Sequence, residues 1–116
     1  MARNAVLSLT LALAATAAGA QAPDAPTPER SAQLVRMVRQ DCGSCHGMRL
    51  TGGLGPALTR QALAAKPPEY LAAVIIHGIP GTPMPPWSAL LSGAEARWIA
   101  EQLASGFPEE LRSQTP

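Results

Sequence analysis

The run Cys42-Gly-Ser-Cys-His46 constrains this chain more than any other feature of its sequence. Two thiols with two residues between them can lie along one edge of a porphyrin and form thioethers with its two vinyl groups. The histidine that follows directly is then held beneath the iron, where its imidazole is a proximal ligand. A Cys-x-x-Cys-His run is typical of covalent c-type haem attachment. We therefore predict one haem c, bound through Cys42 and Cys45, with His46 on the iron.

The same residue types have other uses, which fit this chain less well. A Cys-x-x-Cys redox pair belongs near a βαβ pattern, and no such pattern is visible. A zinc site needs four ligands at finger-like spacing, whereas thirty residues separate His46 from His77, the other histidine. A disulfide between Cys42 and Cys45 would leave His46 unexplained.

The N-terminus has the organisation of a secretory leader. Arg3 precedes an apolar stretch over residues 5–19, and Ala18-Gly-Ala20 is a small-x-small cleavage site. This pattern predicts a signal peptide at residues 1–20, cleaved after Ala20. The stretch is shorter than the roughly 20 apolar residues that a membrane span requires. Because bacteria attach c-type haem outside the cytoplasmic membrane, we expect a periplasmic protein with no membrane span in the mature chain.

The composition of the remaining chain limits the classes of function. Without Arg3, eight Lys and Arg balance eight Asp and Glu, so the basic excess of a nucleic-acid binder is missing. The length allows one domain. Two Trp, one Tyr and one Phe are a thin supply of large apolar side chains. Because small domains usually need an additional staple, a covalently tied porphyrin would complete the core.

Residues 21–27 contain two prolines and no periodicity, which predicts a flexible tail before a domain at 28–116. Apolar spacing, caps and prolines in first turns predict helices in that domain. They span 28–42, 60–65, 68–77 and 93 to about 105, with caps at Thr27, Thr59 and Ser92 and a terminator at Gly78. Ser92 and Glu95 have the spacing of a capping box. No strand pattern of useful length appears, so we predict an all-α fold.

Each predicted helix has an apolar face. The first face carries Leu34, Val35, Val38 and Cys42; the third carries Tyr70 or Leu71, Val74, Ile75 and Gly78; the last carries Ala96, Ile99, Ala100 and Leu103. Met37 precedes the attachment site on the first helix, so we interpret it as a core or surface residue and not as a ligand.

The sixth iron ligand decides between an electron carrier and a ligand-binding haem. Four of the nine residues from Ile79 to Trp87 are proline, which makes a stiff loop with Met84 in its middle. The alternatives are His77, Met48 or an empty site. Met48 follows His46 too closely to reach the opposite face, and His77 is more often a solvated histidine at a helix end. We predict Met84, whose neutral thioether raises the reduction potential relative to a second histidine.

At this point the chain resembles the class I cytochrome c family over nearly all of the predicted domain. The resemblance rests on Cys42-Gly-Ser-Cys-His-Gly47, on Gly55-Pro-Ala-Leu58, and on Met84-Pro-Pro-Trp87 followed by a terminal helix. It implies that the carbonyl of Pro56 accepts a hydrogen bond from His46, and that the first and last helices pack together. Where the terminal helix of the family often has an aromatic residue, this chain has Gln102, and Trp98 one turn earlier is a possible substitute.

A narrower resemblance is to the NirC-type small cytochromes of denitrifying bacteria. It rests on the stretch from Asp41 to Thr59 and on the stretch from His77 to Trp87. It implies an electron carrier, without catalysis of its own and expected to be monomeric, that serves cytochrome cd nitrite reductase or an enzyme maturing d-type haem. The alternative is a haem-based sensor or gas-binding cytochrome with a displaceable sixth ligand. A catalytic role ranks last, because His77 is the one visible distal acid–base candidate.

Overall fold

The computed structural model describes residues 24–107, and that part of the chain consists of helices and loops without a strand. The prediction of an all-α fold is confirmed. The elements are α1 (Pro28–Met37), a π-helical turn (Val38–Cys42), α2 (Gly43–His46), α3 (Arg60–Leu63), α4 (Pro68–His77) and α5 (Gly93–Ala104). The predicted signal peptide, residues 21–23 of the predicted tail and residues 108–116 lie outside the described residues. Residues 24–27 have no helical structure.

The first helix differs from the sequence prediction where it enters the haem-attachment motif. Thr27 caps α1 as predicted, since its hydroxyl oxygen accepts a hydrogen bond from the Arg30 N–H at 3.2 Å. The α-helix ends at Met37, however, and the Gly43 N–H donates to the carbonyl of Val38, five residues earlier. The wider π turn rotates the attachment residues relative to α1, and such turns are frequent at functional sites.

The helix predicted at 68–77 is present over its predicted length, whereas the helix predicted at 60–65 is shorter than predicted. Thr59 caps α3 through the Ala62 N–H at 3.3 Å, but α3 ends at Leu63 and not at residue 65. The chain there tightens into a turn, in which the Lys66 N–H donates to the carbonyl of Leu63 at 2.9 Å. The residue before a proline is disfavoured in a helix, and Pro67-Pro68 follows directly. α4 then starts at Pro68.

The terminal helix has the predicted capping box. The Ser92 hydroxyl accepts from the Glu95 N–H at 3.1 Å, and the Glu95 carboxylate accepts from the Ser92 N–H at 2.9 Å. The same carboxylate accepts a hydrogen bond from the Arg30 guanidinium of α1 at 2.5 Å. This contact joins the N-terminal ends of the two helices that the family resemblance predicts to pack together.

The core lies between α1, α4 and α5, and α4 packs against α5. The predicted inner face of α5 is buried throughout, and Trp98 packs half-buried beside it. The core consists of Leu34, Val38, Leu50, Leu63, Leu71, Leu91, Ile99, Ala100 and Leu103. On α4, Leu71 is the buried member of the predicted pair and Tyr70 is half exposed. None of the helices between residues 24 and 107 has the length and apolar character needed to cross a membrane.

Candidate haem-binding site

A cavity of ≈ 710 Å³ opens beside the attachment motif. This volume lies within the range of about 300–1,000 Å³ that is usual for small-molecule and cofactor sites. Apolar side chains of α4 and α5 line it, among them Leu71, Ile75 and Ile99. The five residues predicted for the site also line it: Cys42, Cys45, His46, Pro56 and Met84. The fold therefore brings together residues that are up to 42 positions apart in the chain.

The two cysteines are free thiols in different surroundings. Cys45 is exposed, whereas Cys42 is half-buried against the core. Burial raises the pKa of the Cys42 thiol to about 11, and the negative charge of Asp41 adds to the effect. The Ser44 hydroxyl donates to the carbonyl of Asp41 at 2.7 Å and fixes the turn between the cysteines. Both sulfur atoms are available for thioether bonds, as the fit to a covalently attached porphyrin requires.

The imidazole of His46 is oriented by its hydrogen bond to Pro56. Its Nδ1 lies 2.7 Å from the carbonyl oxygen of Pro56. Because a carbonyl can only accept, Nδ1 carries a proton, and in the neutral ring the lone pair is then on Nε2, where it can bind a metal. When a histidine binds a metal, a hydrogen bond from its other ring nitrogen to a backbone carbonyl fixes both the tautomer and the plane of the ring. The hydrogen bond that the family resemblance implies is thus present.

Gly55 supports the same ring from behind, a role that the sequence analysis missed. A Cβ atom added at Gly55 would lie 2.7 Å from both Cε1 and Nδ1 of His46, closer than real Cβ atoms approach any group. The backbone of residue 55 therefore packs directly on the imidazole. A glycine immediately before the hydrogen-bonding proline was the available signal, but the glycine-rich composition of the loop concealed it.

The loop between His46 and Pro56 is tied to the attachment motif by backbone hydrogen bonds. The Gly52 N–H donates to the carbonyl of His46 at 2.8 Å, and the Gly55 N–H donates to the carbonyl of Cys45 at 2.8 Å. A Cβ at Gly53 would lie 2.7 Å from that Cys45 oxygen. The close backbone approach explains why small residues recur here. It also keeps the carbonyl of Pro56 at a fixed place relative to the histidine.

Met84 lies half-buried at the cavity in a loop that is tied to the end of α4. The Ile79 N–H donates to the carbonyl of Met84 at 3.1 Å. The Thr82 hydroxyl donates to the carbonyl of Ile79 at 2.7 Å and accepts from the Met84 N–H at 3.3 Å. Gly78 has φ +65°, and a Cβ there would lie 2.6 Å from the Met84 oxygen. Hydrogen bonds and prolines together hold the Met84 backbone.

The other methionines and the second histidine differ from Met84, and from one another, in whether they line the cavity. His77 is exposed at the C-terminal end of α4 and does not line the cavity. Met48 is 66% exposed and does not line it either. Met37 is half-buried and lines the cavity from the end of α1, five residues before Cys42. Among the methionines in residues 24–107, Met84 and Met37 are therefore the two that reach the site.

The fold and this site define a c-type cytochrome with one covalently attached haem c. A family model described as cytochrome c oxidase, cbb3-type, subunit III matches residues 29–102. The chain belongs to this family, whose members are cytochrome c electron carriers. The prediction of haem c is confirmed by this membership and by the arrangement of Cys42 and Cys45.

The chain is also similar to individual cytochromes over most of its length. The chain is 51% identical over 110 residues to cytochrome c55X of Stutzerimonas stutzeri, covering 94% of this chain and 97% of that one. It is 52% identical over 107 residues to cytochrome c55X of Pseudomonas aeruginosa, covering 90% of each. A solved structure of c-type cytochrome NirC is 56% identical and superposes with a TM-score of 0.68, over 69% of this chain and 94% of that chain. The predicted class I cytochrome c fold and the NirC resemblance are confirmed.

A larger protein contains a related segment. The chain is 33% identical over 104 residues to dihydro-heme d1 dehydrogenase of Pseudomonas aeruginosa, which covers 90% of this chain but 19% of that protein. A solved structure entitled dihydro-heme d1 dehydrogenase NirN in complex with DHE is 35% identical, with a TM-score of 0.58 over 65% of this chain and 16% of that chain. The similarity is thus confined to one part of the larger protein.

Proposed function

We propose that this chain is a periplasmic single-electron carrier, without catalysis of its own, whose iron is bound by His46 and Met84. The observation that carries the proposal is the hydrogen bond between the His46 ring and the carbonyl of Pro56. Its Nδ1 proton is committed to Pro56 at 2.7 Å, which leaves Nε2 as a ligand on the cavity that Met84 also lines. A haem with both axial positions filled by protein favours electron transfer over the binding of external ligands.

The protein residues provide rigidity around a redox centre. The bound haem iron supplies a one-electron ferric–ferrous couple. His46 is held by Pro56 and by the backbone of Gly55, and Met84 is held by hydrogen bonds within its own loop. Ligands fixed in this way move little when the charge at the site changes. The neutral, polarisable thioether of Met84 favours the reduced state and sets a higher potential than a second histidine would.

The partners are proposed from the relatives. A segment 33% identical to this chain forms part of a dihydro-heme d1 dehydrogenase, and this similarity supports a partner connected with d-type haem. By analogy, this separate chain exchanges electrons with an enzyme that matures d-type haem, or with the cytochrome cd nitrite reductase that uses it. Two apolar side chains at the cavity mouth, Leu54 at 94% and Ile79 at 42% exposure, suit a small and transient contact.

Stopped-flow mixing distinguishes the two partners. In one arm the oxidised protein is mixed with dihydro-haem d1 dehydrogenase and its substrate; in the other, the reduced protein is mixed with cd nitrite reductase and nitrite. We expect haem c absorbance to change in at least one arm, faster than for an unrelated cytochrome c. Replacing Leu54 and Ile79 by serine should slow the change, while Leu90→Ser, an exposed leucine away from the cavity, should leave it unaltered. If the unmodified protein, its serine variants and the unrelated cytochrome c all exchange electrons at the same rate, the proposal is contradicted.

The periplasmic location is supported by the leader predicted from residues 1–20. Expression of the full chain in a bacterium that assembles c-type cytochromes tests it. We expect the haem-containing protein in the periplasmic fraction, with a mass that lacks residues 1–20. Haem protein of full-length mass in the cytoplasmic fraction would contradict this part of the proposal.

A further inference from the structure

The cavity must accommodate a polar edge of its cofactor as well as an apolar face. A haem carries two propionate carboxylates on the edge away from its two vinyl-derived attachments. Carboxylates beside apolar surface require cations or hydrogen-bond donors, because an unpaired charge is costly there. The described lining of the cavity is mainly apolar. Among these lining residues, Asp41 is the one acidic side chain and Lys66 is the one lysine or arginine. Lys66 is therefore its candidate cation.

Most other polar side chains at the cavity are already engaged or have the wrong charge. Asp41 is next to Cys42, and its own carboxylate would repel a propionate. The hydroxyls of Ser44 and Thr82 both donate to backbone carbonyls of their own segments at 2.7 Å. Tyr70 and Trp87 are the remaining side chains with a donor, and neither the phenol nor the indole N–H has a hydrogen-bond partner within residues 24–107. Trp87 is half-buried against the core, whereas Tyr70 is 51% exposed, so Tyr70 is the donor of the two that reaches solvent.

Lys66 and Tyr70 are carried by one short, well-defined segment between α3 and α4. The Lys66 N–H donates to the carbonyl of Leu63 at 2.9 Å, and the Tyr70 N–H donates to the carbonyl of Pro67 at 3.0 Å. Pro67 and Pro68 fix the backbone between them. Lys66 is exposed and Tyr70 is 51% exposed, so both border the cavity where it meets solvent. That is where the charged edge of an amphipathic cofactor is least costly to place.

We propose that Lys66 and Tyr70 bind the haem propionates, with the ammonium of Lys66 paired to one carboxylate and the phenol of Tyr70 donating a hydrogen bond. Both are positioning residues, and they set the charge balance at the polar edge of the cofactor. The proposal depends on attachment of the haem through Cys42 and Cys45. It does not depend on which enzyme exchanges electrons with the protein.

The reduction potential measured against pH tests Lys66. A cation next to a carboxylate lowers the pKa of that carboxylate. We expect Lys66→Met to shift the propionate-linked step of the potential–pH curve upwards by about one pH unit, and to lower the potential at neutral pH. Arg60→Met removes an equal charge from α3 without touching the cavity lining, and should leave the step in place. Lys66→Arg, which keeps the cation, should restore the original curve.

Infrared difference spectra between the oxidised and reduced states test Tyr70. Tyr70→Phe removes the donor and keeps the ring, so the propionate carboxylate bands should shift, while Arg60→Met leaves them unchanged. Coincident potential–pH curves for Lys66→Met and Arg60→Met, together with unmoved bands in Tyr70→Phe, would overturn the proposal. The sulfur-to-iron band at the red end of the ferric spectrum reports separately on Met84. Its absence from the unmodified protein would reject the axial pair but not the propionate partners.

Discussion

The Nδ1 atom of His46 lies 2.7 Å from the carbonyl oxygen of Pro56, ten residues later in the chain. This hydrogen bond joins the end of the attachment motif to the far end of the glycine-rich loop. It commits one ring nitrogen to the protein and leaves the other free of that contact, as a metal ligand requires. The orientation of the proposed proximal ligand is therefore determined by the path of the loop, and changes in that path should affect the haem.

Gly55→Ala tests whether the loop supports the imidazole. The new Cβ would lie 2.7 Å from two atoms of the His46 ring, so either the ring or the backbone must move. We expect a loss of unfolding free energy of about 1–3 kcal/mol, as for other overpacked sites, and a changed reduction potential. Denaturant unfolding and redox titration measure the two effects.

The control is Gly93→Ala, since a Cβ at Gly93 in the first turn of α5 meets nothing within 4 Å. That variant should be as stable as the unmodified protein or slightly more so, because alanine favours the helix. If Gly55→Ala behaves like Gly93→Ala in both measurements, the close contact between residue 55 and the ring has no consequence.

Gly78→Ala and Gly81→Ala separate two reasons for glycine in the Met84 segment. Both residues have positive φ, +65° and +77°, so either substitution introduces backbone strain of about 1–2 kcal/mol. A Cβ at Gly78 also lies 2.6 Å from the Met84 carbonyl, whereas one at Gly81 meets nothing within 4 Å. We expect both variants to lose stability, but Gly78→Ala alone to weaken the sulfur-to-iron band. Equal bands in the two variants would show that the Met84 loop tolerates displacement.

Ser92→Ala tests the cap of α5, the α-helix that contributes the most buried residues to the core within residues 24–107. The substitution removes the hydroxyl that accepts from the Glu95 N–H at 3.1 Å. Loss of such a cap costs about 1 kcal/mol, measurable as a lower midpoint of denaturant unfolding. Ser88→Ala, at an exposed position outside the helices, is the matched control and should be neutral. A neutral Ser92→Ala would mean that solvent replaces the cap without loss.

Stability should depend on pH through Glu95. Its hydrogen bond from the Arg30 guanidinium, together with the bond from the Ser92 N–H, lowers the pKa of the Glu95 carboxyl. A carboxyl with a depressed folded-state pKa stabilises the fold above its unfolded-state pKa. This stabilisation is lost as the pH falls through the folded-state value. Glu95→Gln should therefore reduce stability most at neutral pH, and the difference from the unmodified protein should shrink on acidification.

Glu101→Gln is the control for Glu95→Gln. Glu101 forms an exposed pair with Arg97 at 3.0 Å within α5, and such pairs contribute little. Urea unfolding at several pH values compares the two variants. A constant difference between Glu95→Gln and the unmodified protein from neutral to acidic pH would contradict the electrostatic account.

Local signals in the sequence were sufficient for the helix starts. The caps at Thr27, Thr59 and Ser92 are present as predicted, because a cap is a contact between residues three positions apart. The apolar face of α5 was also predictable, since helical periodicity determines it. The motif Cys42–His46 and the proline-flanked Met84 identified the candidate site residues for a similar reason: their chemistry is visible in residue type and spacing.

The remaining features depend on contacts between distant residues. The π turn at Val38–Cys42 shifts the hydrogen-bond register by one residue, and no residue type marks it in the sequence. Leu50 adopts φ +61° with its side chain 3% exposed, a conformation that leucine accepts only when the surrounding core holds it. The contact of Gly55 with His46 appears only once the loop is closed. The sequence therefore indicated which residues line the candidate site more reliably than it predicted the backbone that holds them.

The ferric absorption spectrum of Met84→Ala, compared with two other methionine variants, tests the central proposal most directly. Met37 also lines the cavity and Met48 is exposed away from it, so Met37→Ala and Met48→Ala are matched controls. If His46 and Met84 bind the iron, the sulfur-to-iron band is present in the unmodified protein and both controls, and is lost in Met84→Ala alone. That variant in its reduced form should also bind carbon monoxide rapidly. A band that survives in Met84→Ala, or rapid carbon monoxide binding by the unmodified protein at neutral pH, would contradict the account.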